Sequence, residues 1–325
     1  MIKDSVNKVL FIGGAGRSGS TLLDMLLGQI DGFCSTGELR FIWKRGFGQN
    51  QLCGCGKPFR ECEFWTDVVN EAFGGFEAID HARIEQLRPA VEGWVSNGVS
   101  RQRASELRAF YWEYFDALRQ IYRAIHKVSG CEYIVDSSKN IANGFILSTL
   151  PDIDLYTVHL IRDSRAVAYS WRRAKIRPEV HWERKLMGQR GIIKSATRWN
   201  SLNVLGQKLQ HTSLKYTLLR YEDLVSNPNG SLSRVFTDLG IERNSLHFLD
   251  GLRANLKTSH TVSGNPVRFT SQEIKIQPDM QWQHNMVRHQ KLLVTLLTWP
   301  LLLKYGYFGD NHPRKRSGAH MLLKG

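Results

Sequence analysis

Residues 9 to 23 of the chain read Val9-Leu10-Phe11-Ile12-Gly13-Gly14-Ala15-Gly16-Arg17-Ser18-Gly19-Ser20-Thr21-Leu22-Leu23. The apolar opening, rich in β-branched and aromatic side chains, predicts a buried strand, and the glycines after it predict a loop. The leucines at positions 22, 23, 26 and 27 have helical spacing from about Ser20 onward. The stretch therefore predicts one strand, loop and helix unit of an α/β protein.

Three more strands are predicted downstream, at residues 133–135, 155–161 and 215–219, and helix-like stretches separate them. Strands that alternate with helices form a parallel sheet. We therefore predict an α/β protein with a three-layer, phosphate-loop-type fold, in which helices flank a central parallel sheet. The prediction assigns residues 1–310 to a single domain with a helical insert at about 40–130, and residues 311–325 to a basic, flexible tail.

Two apolar segments are predicted to be helices of the core. Apolar side chains recur at helical spacing from Leu107 to Ile125, which predicts one long helix packed through that face. The segment from Leu292 to Leu303 is interrupted by Pro300 and is well short of the roughly 20 residues that a membrane span needs. We predict that it is a buried helix and that the chain does not insert stably into a membrane.

The charge of the chain favours an anionic partner, because 44 lysines and arginines stand against 30 acidic residues and give a net charge of +14. No recognised nucleic-acid module accompanies the basic runs at residues 171–175 and 313–316. We interpret these runs as a solvated helix face and a solvated tail, and expect no nucleic-acid partner. The N-terminal residues show no signal-peptide pattern, from which a cytoplasmic location is expected. A homodimer is left open.

The loop after the first strand has the Gly-x-x-x-x-Gly spacing of a phosphate loop, from Gly14 to Gly19. Its backbone N–H groups and the helix N-terminus are then placed to face an anion. One enzyme with such a loop is a phosphate-loop kinase. A kinase of this type carries a lysine where this chain has Ser20, and the missing lysine weakens that alternative. Arg17 and the hydroxyl groups of the loop suit a 5'-phosphosulfate bound without a metal.

The same loop resembles the 5'-phosphosulfate loop of sulfotransferases that use 3'-phosphoadenosine 5'-phosphosulfate (PAPS), especially tyrosylprotein and carbohydrate sulfotransferases. Residues 160–170 resemble the family's 3'-phosphate segment, with Arg162 at a strand end and Ser170 eight residues later on the next helix. Residues 259–269 are similar to the C-terminal nucleotide loop of bacterial sulfotransferases of this type, where Arg268 would add charge near the 3'-phosphate. The resemblance spans residues 9 to about 282.

The resemblance implies in-line transfer of a sulfuryl group from PAPS, as co-substrate, to an acceptor hydroxyl, with release of adenosine 3',5'-bisphosphate and no metal required. The acceptor, a carbohydrate, lipid, tyrosine or small molecule, stays open. The catalytic residues implied are Glu38 as general base, Lys139 and Arg17. The residues implied to bind the donor are Gly16, Arg17, Ser18, Gly19, Ser20, Thr21, Leu22, Arg162, Ser170 and Arg268.

Some of these residues have simpler explanations. Glu38 and Lys139 could each be solvated residues near a helix start. His260 is the second choice for the base, whereas His159, inside an apolar strand, is expected to be a buried and hydrogen-bonded core residue. Asp136 could cap a helix or orient Lys139.

Three cysteines, Cys53, Cys55 and Cys62, fall within ten residues. They could be reduced thiols packed in a turn, or Cys53 and Cys62 could form a disulfide. They could also bind zinc if a fourth ligand completed the set. The candidates for that ligand are Cys34, Cys131 and His81.

Overall fold

The computed structural model of the protein describes residues 6–95, 100–212, 215–242 and 246–308. Five parallel strands form the central sheet in the order β2-β3-β1-β4-β5. These strands are β1 (Asn7–Gly14), β2 (Phe33–Gly37), β3 (Tyr133–Lys139), β4 (Ile153–Ile161) and β5 (Lys215–Arg220). A small antiparallel sheet contains β6 (Leu249–Asp250), β7 (Arg253–Asn255) and β8 (Glu273–Lys275).

Helices cover both faces of the central sheet. The α-helices are α1 (Ser20–Leu27), α2 (Glu63–Phe73), α3 (His81–Val95), α4 (Arg101–Phe110), α5 (Trp112–Ser129), α6 (Ile141–Ser148), α7 (Ser164–Arg172), α8 (Ile192–Leu209), α9 (Tyr221–Ser226), α10 (Pro228–Leu239), α11 (Gln281–Asn285) and α12 (Arg288–Lys304). Single 3₁₀ turns span Leu39–Phe41, Phe59–Glu61, Phe76–Ala78 and Pro266–Phe269, and a short π-helix spans Ile42–Gly48.

The strand at the centre of the sheet shows how the sequence divides the core into two layers. Val9 and Phe11 of β1 are buried in a cluster with α2, α5 and α6. The alternate residues, Leu10 and Ile12, are buried in a second cluster with α1 and α10. Because successive side chains of a strand point to opposite faces, this continuously apolar strand requires helices on both sides. The predicted three-layer α/β fold is confirmed.

The structure departs from the sequence predictions in the first of the predicted core helices. The apolar stripe from Leu107 to Ile125 is divided between α4 and α5, and Tyr111 interrupts the helix with φ of −109° and ψ of 38°. Phe110, beside the break, is 74% exposed. One long helix was therefore a wrong prediction, because a periodic pattern does not locate a break at a single residue.

The second predicted core helix is observed as α12, but it is not buried. Val294, Thr298 and Leu302 face the protein interior, where α12 packs on α7 and α8. The side chains on other faces, such as Leu296 and Trp299, are exposed. A helix that is apolar all round does not reveal from composition which face packs. No helix among the residues described is long and apolar enough to cross a membrane. The predicted tail at 311–325 lies outside the described residues.

Candidate active site

The loop between β1 and α1 is fixed by close backbone contacts. Gly14 has φ of 141°, and a Cβ atom there would lie 2.2 Å from the carbonyl oxygen of Leu160 on β4. Gly19 has φ of 92°, and its Cβ would lie 2.4 Å from the ring of Tyr221. Both positions therefore require glycine. Among the residues that the structure describes, no side chain caps the N-terminus of α1, so its first N–H groups can face an anion.

The second predicted anion turn meets the first. Arg162 follows the carboxyl end of β4, beside β1, and is only 5% exposed. Its guanidinium donates from Nη1 to the carbonyl oxygen of Arg17 at 3.1 Å, and from Nη2 to that of Asp279 at 3.0 Å. The ring of Tyr221 lies 4.3 Å from the guanidinium carbon. The side chains of Arg162 and Ser170 thus lie in the same cavity as the phosphate loop.

The third segment, residues 259–269, closes the same region by pairing with β2. The N–H of Val262 donates to the carbonyl oxygen of Thr36 at 2.8 Å, and the N–H of Glu38 donates to that of Val262 at 2.7 Å. The N–H of Asn265 donates to Oγ1 of Thr21 on α1 at 3.2 Å. The segment therefore joins the phosphate loop to the residue predicted to be the base.

Glu38 and Lys139 form an ion pair at the carboxyl ends of neighbouring strands. Glu38 follows β2 and is 7% exposed, and Lys139 ends β3. The Nζ of Lys139 donates to Oε1 of Glu38. Carboxyl ends of adjacent parallel strands meet at one edge of a sheet, which explains the contact. Asp136 does not touch Lys139 in the contacts of the described residues; it accepts from Tyr122, Asn143 and Ser138, and so holds the turn before Lys139.

One cavity of about 480 Å³ contains these groups. Of the described residues, nine cationic ones line it against two carboxylates, those of Glu38 and Asp279. The cationic residues are Arg17, Arg40, Arg45, Lys139, Arg162, Arg173, Lys175, Arg190 and Arg198. This imbalance produces a positive potential in a concave site, and such a site attracts anions.

Several cationic groups of this cavity are buried without enough acceptors or opposite charges around them. Burial, followed by the charge of Arg173, lowers the pKa of Arg17. Burial, followed by the charges of Arg17 and Arg173, likewise lowers the pKa of Lys175. Among the described residues, Nη1 of Arg17 and Nε of Arg162 are buried without a hydrogen-bond partner. Buried donors of this kind are rare, and an anion would satisfy them.

Sequence reasoning missed several cations of the cavity. Arg173 and Lys175 lie in a run that was interpreted as a solvated helix face, but both are half-buried and line the cavity. They follow α7 in extended conformation, where their neighbours Arg172 and Ala174 are exposed. The run Trp171-Arg172-Arg173-Ala174-Lys175 shows no such alternation of residue types, so the sequence contains no signal that separates the half-buried cations from the exposed one. Arg190, from the segment before α8, also lines the cavity. Its guanidinium carbon lies 3.7 Å from the ring centre of Trp171.

The structure does not bring every predicted residue to the cavity. Arg268 is 3% exposed, and its guanidinium donates to the carbonyl oxygens of Thr261 and Leu52 instead. It therefore holds its own loop together, in contrast to the expected contact with the 3'-phosphate. The side chain of Ser18, within the phosphate loop, is buried, and Ser18 is absent from the cavity lining formed by the described residues.

The two histidines considered as bases also lie elsewhere. His260 directs Nδ1 toward Sγ of Cys62, at 3.2 Å, and is not part of the cavity lining in the described chain. His159 is fully buried between Tyr216 and Asn203, at 2.7 and 2.9 Å, as expected for a core residue. Burial lowers the pKa of His159 to about 4.

Comparisons with known proteins give a family. The sequence profile of the Sulfotransferase family matches residues 10–245. A sulfotransferase domain from the Synechococcus PCC 7002 olefin synthase is 19% identical, with a TM-score of 0.49 over 95% of this chain and 98% of that domain. A sulfotransferase domain from the curacin biosynthetic pathway is 16% identical, with a TM-score of 0.48 over 90% and 97%. No curated protein matches the sequence significantly. Since the profile covers well over half of its length, the chain belongs to the sulfotransferase family.

Proposed function

We propose that this protein transfers a sulfuryl group from PAPS to a hydroxyl group of its acceptor. One observation carries the proposal: Arg17 of the phosphate loop and Arg162 of the later turn are hydrogen-bonded to each other and line a single cationic cavity. PAPS has anionic groups at both ends of its ribose, on the 5' and the 3' carbon. Two separate anion turns around one cavity suit such a ligand.

The residues present fit this donor. The cavity volume of about 480 Å³ falls in the range of ligand pockets. The 5'-phosphosulfate would lie on the N–H groups from Gly16 to Leu22, and Nη1 of Arg17 would find its missing acceptor there. The 3'-phosphate would lie at Arg162 and Ser170, where Nε of Arg162 also lacks an acceptor in the described chain.

The proposed chemistry uses the ion pair at the sheet edge. The acceptor oxygen attacks sulfur, and the bond between sulfur and the bridging oxygen of the 5'-phosphate breaks, which releases adenosine 3',5'-bisphosphate. Glu38 takes the proton of the attacking hydroxyl. Lys139 exchanges its contact with Glu38 for the bridging oxygen, which stabilises the leaving group and frees the carboxylate.

The alternatives from the sequence are less well supported. The family assignment does not favour the phosphate-loop kinase, and the position after Gly19 is a serine. The acceptor stays open among carbohydrate, lipid, tyrosine and small molecule. A cytoplasmic location and chemistry without a metal stay predictions.

A thermal-shift comparison tests the choice of donor. We expect adenosine 3',5'-bisphosphate, without metal, to raise the melting temperature, because a ligand at 100 times its Kd adds about 2.7 kcal/mol of stability. Adenosine 5'-phosphate, the matched ligand without the 3'-phosphate, should shift it less. A larger shift with ATP and Mg²⁺ than with the bisphosphate would favour the kinase and contradict the proposal.

A further inference from the structure

Four side chains of the kinds that can ligate a metal ion converge outside the cavity. Cys53, Cys55 and Cys62 lie in the turn before α2, and His260 begins the loop that pairs with β2. One sulfur or nitrogen atom from each lies within 4.8 Å of all the others. We refer to these four residues as the Cys–His cluster. The other fourth ligands considered from the sequence do not complete it, because Cys34 and Cys131 contact each other and His81 packs on Phe47.

The distances within the cluster suit a tetrahedral metal ion. The Sγ atoms of Cys55 and Cys62 are 3.7 Å apart, and Nδ1 of His260 lies 3.2 Å from Cys62 and 3.9 Å from Cys53. Zinc bonds of 2.3 Å to sulfur and 2.0 to 2.1 Å to nitrogen place tetrahedral ligand atoms roughly 3.5 to 3.8 Å apart. These three distances lie within about 0.4 Å of the edges of a zinc tetrahedron, and the other three are no longer than 4.8 Å.

The surrounding residues hold the ligands in place. Cys53 and Cys62 are buried, and the carbonyl oxygen and N–H of Cys53 are bonded within a tight turn to Gly56 and Lys57. The ring of His260 stacks on Phe64 with ring centres 5.0 Å apart, and Trp65 donates to its carbonyl oxygen at 2.9 Å. These contacts with Phe64 and Trp65 hold His260 in place, so the orientation of its ring toward the sulfur atoms does not depend on the thiols alone.

We propose that the Cys–His cluster binds one zinc ion as a structural site. Three thiolates and one imidazole are a ligand set that zinc prefers. All four positions are filled by the protein, which leaves no open position for a substrate. The ion would stay outside the transfer chemistry, for which the family resemblance implied no metal.

The zinc would act on the active site through the loop that it anchors. Next to His260, Thr261 accepts a hydrogen bond from the N–H of Gly54 at 3.0 Å, and Val262 accepts from the N–H of Glu38 at 2.7 Å. The ion would therefore fasten the turn at residues 53–62 to the loop that positions Glu38. Its removal should loosen one wall of the cavity.

Metal analysis of the full chain, expressed with added zinc and purified under reducing conditions, tests the site. We expect about one zinc per chain by mass spectrometry, and a tetrahedral thiolate spectrum after replacement with Co²⁺. Cys62→Ser and His260→Ala should lose the zinc, and His260→Cys should retain it. Cys34→Ser and Cys131→Ser, as matched controls, should keep it.

Three outcomes would overturn the proposal. They are a zinc-free but folded wild-type chain, an unchanged zinc content in Cys62→Ser, and a disulfide between cluster cysteines in wild-type protein whose free thiols are alkylated at cell lysis, before reductant is added. If the variants do not fold, the zinc content and Co²⁺ spectrum of the wild-type chain decide the question. Because these readouts need no donor and no activity, they are independent of the proposed sulfuryl transfer.

Discussion

Replacement of Glu38 by glutamine is expected to lower turnover roughly 10²- to 10⁴-fold, which is the usual contribution of a general base. The amide retains the size of the side chain and an oxygen that can bind Lys139. It cannot, however, take up the proton of the attacking hydroxyl group. The affinity for adenosine 3',5'-bisphosphate should therefore change little. Transfer of radiolabelled sulfate from PAPS, measured with an extract that contains the acceptor, gives the turnover.

Glu85→Gln is the matched control for this substitution. Glu85, like Glu38, is an ion-paired glutamate; it is half-buried and bonded to Arg88 on α3, and it lies outside the cavity lining of the described chain. Its replacement should leave turnover within a few-fold of wild type. A Glu38→Gln enzyme with turnover as high as that of the control would contradict the role of Glu38 as base.

Replacement of Arg162 by alanine is expected to weaken the binding of adenosine 3',5'-bisphosphate by about 10²-fold, since loss of one partner of a buried charged pair costs several kcal/mol. Arg162 is the buried cation of the second anion turn, and one of its nitrogens lacks an acceptor within the described chain. Binding of adenosine 5'-phosphate should fall much less, because this ligand has no 3'-phosphate. Isothermal titration of both ligands measures the difference.

Arg165→Ala, in the first turn of α7 just after Arg162, provides the comparison. Arg165 lies three residues after Arg162, is half-buried and is paired with Asp163. It does not line the described cavity. The Arg165→Ala variant should bind both nucleotides as tightly as the wild-type chain does. Equal losses for the two nucleotides in Arg162→Ala would remove the assignment of Arg162 to the 3'-phosphate and reduce it to support of the phosphate loop.

The sequence predicted the elements whose signals are local. β1 and α1 are separated by a glycine loop, and an apolar strand next to such a loop has few alternative structures. β2 was not predicted, since its residues Phe33-Cys34-Ser35-Thr36-Gly37 include only one large apolar side chain. It is a strand because β3 and the loop at Val262 supply its hydrogen bonds. Tertiary contacts therefore decide the structure of such a segment.

The residues of the candidate site were likewise predicted only in part. Glu38 and Lys139 were assigned to one site through the family resemblance, and the structure brings them into contact. The strand before Lys139 was predicted from the sequence, but β2, which precedes Glu38, was not. The partner of the three clustered cysteines was missed, because His260 is 198 residues from Cys62 and no pattern links them. Arg268 was assigned to the nucleotide from resemblance alone, whereas its contacts depend on where Leu52 lies in space.

The crystal structure of the chain with adenosine 3',5'-bisphosphate is the most direct measurement of the central claim, that one nucleotide bridges two anion turns of one cavity. The account predicts the 5'-phosphate on the N–H groups at Gly16 to Leu22, and the 3'-phosphate at Arg162 and Ser170. A nucleotide bound outside this cavity, or bound with its 3'-phosphate away from Arg162, would contradict it.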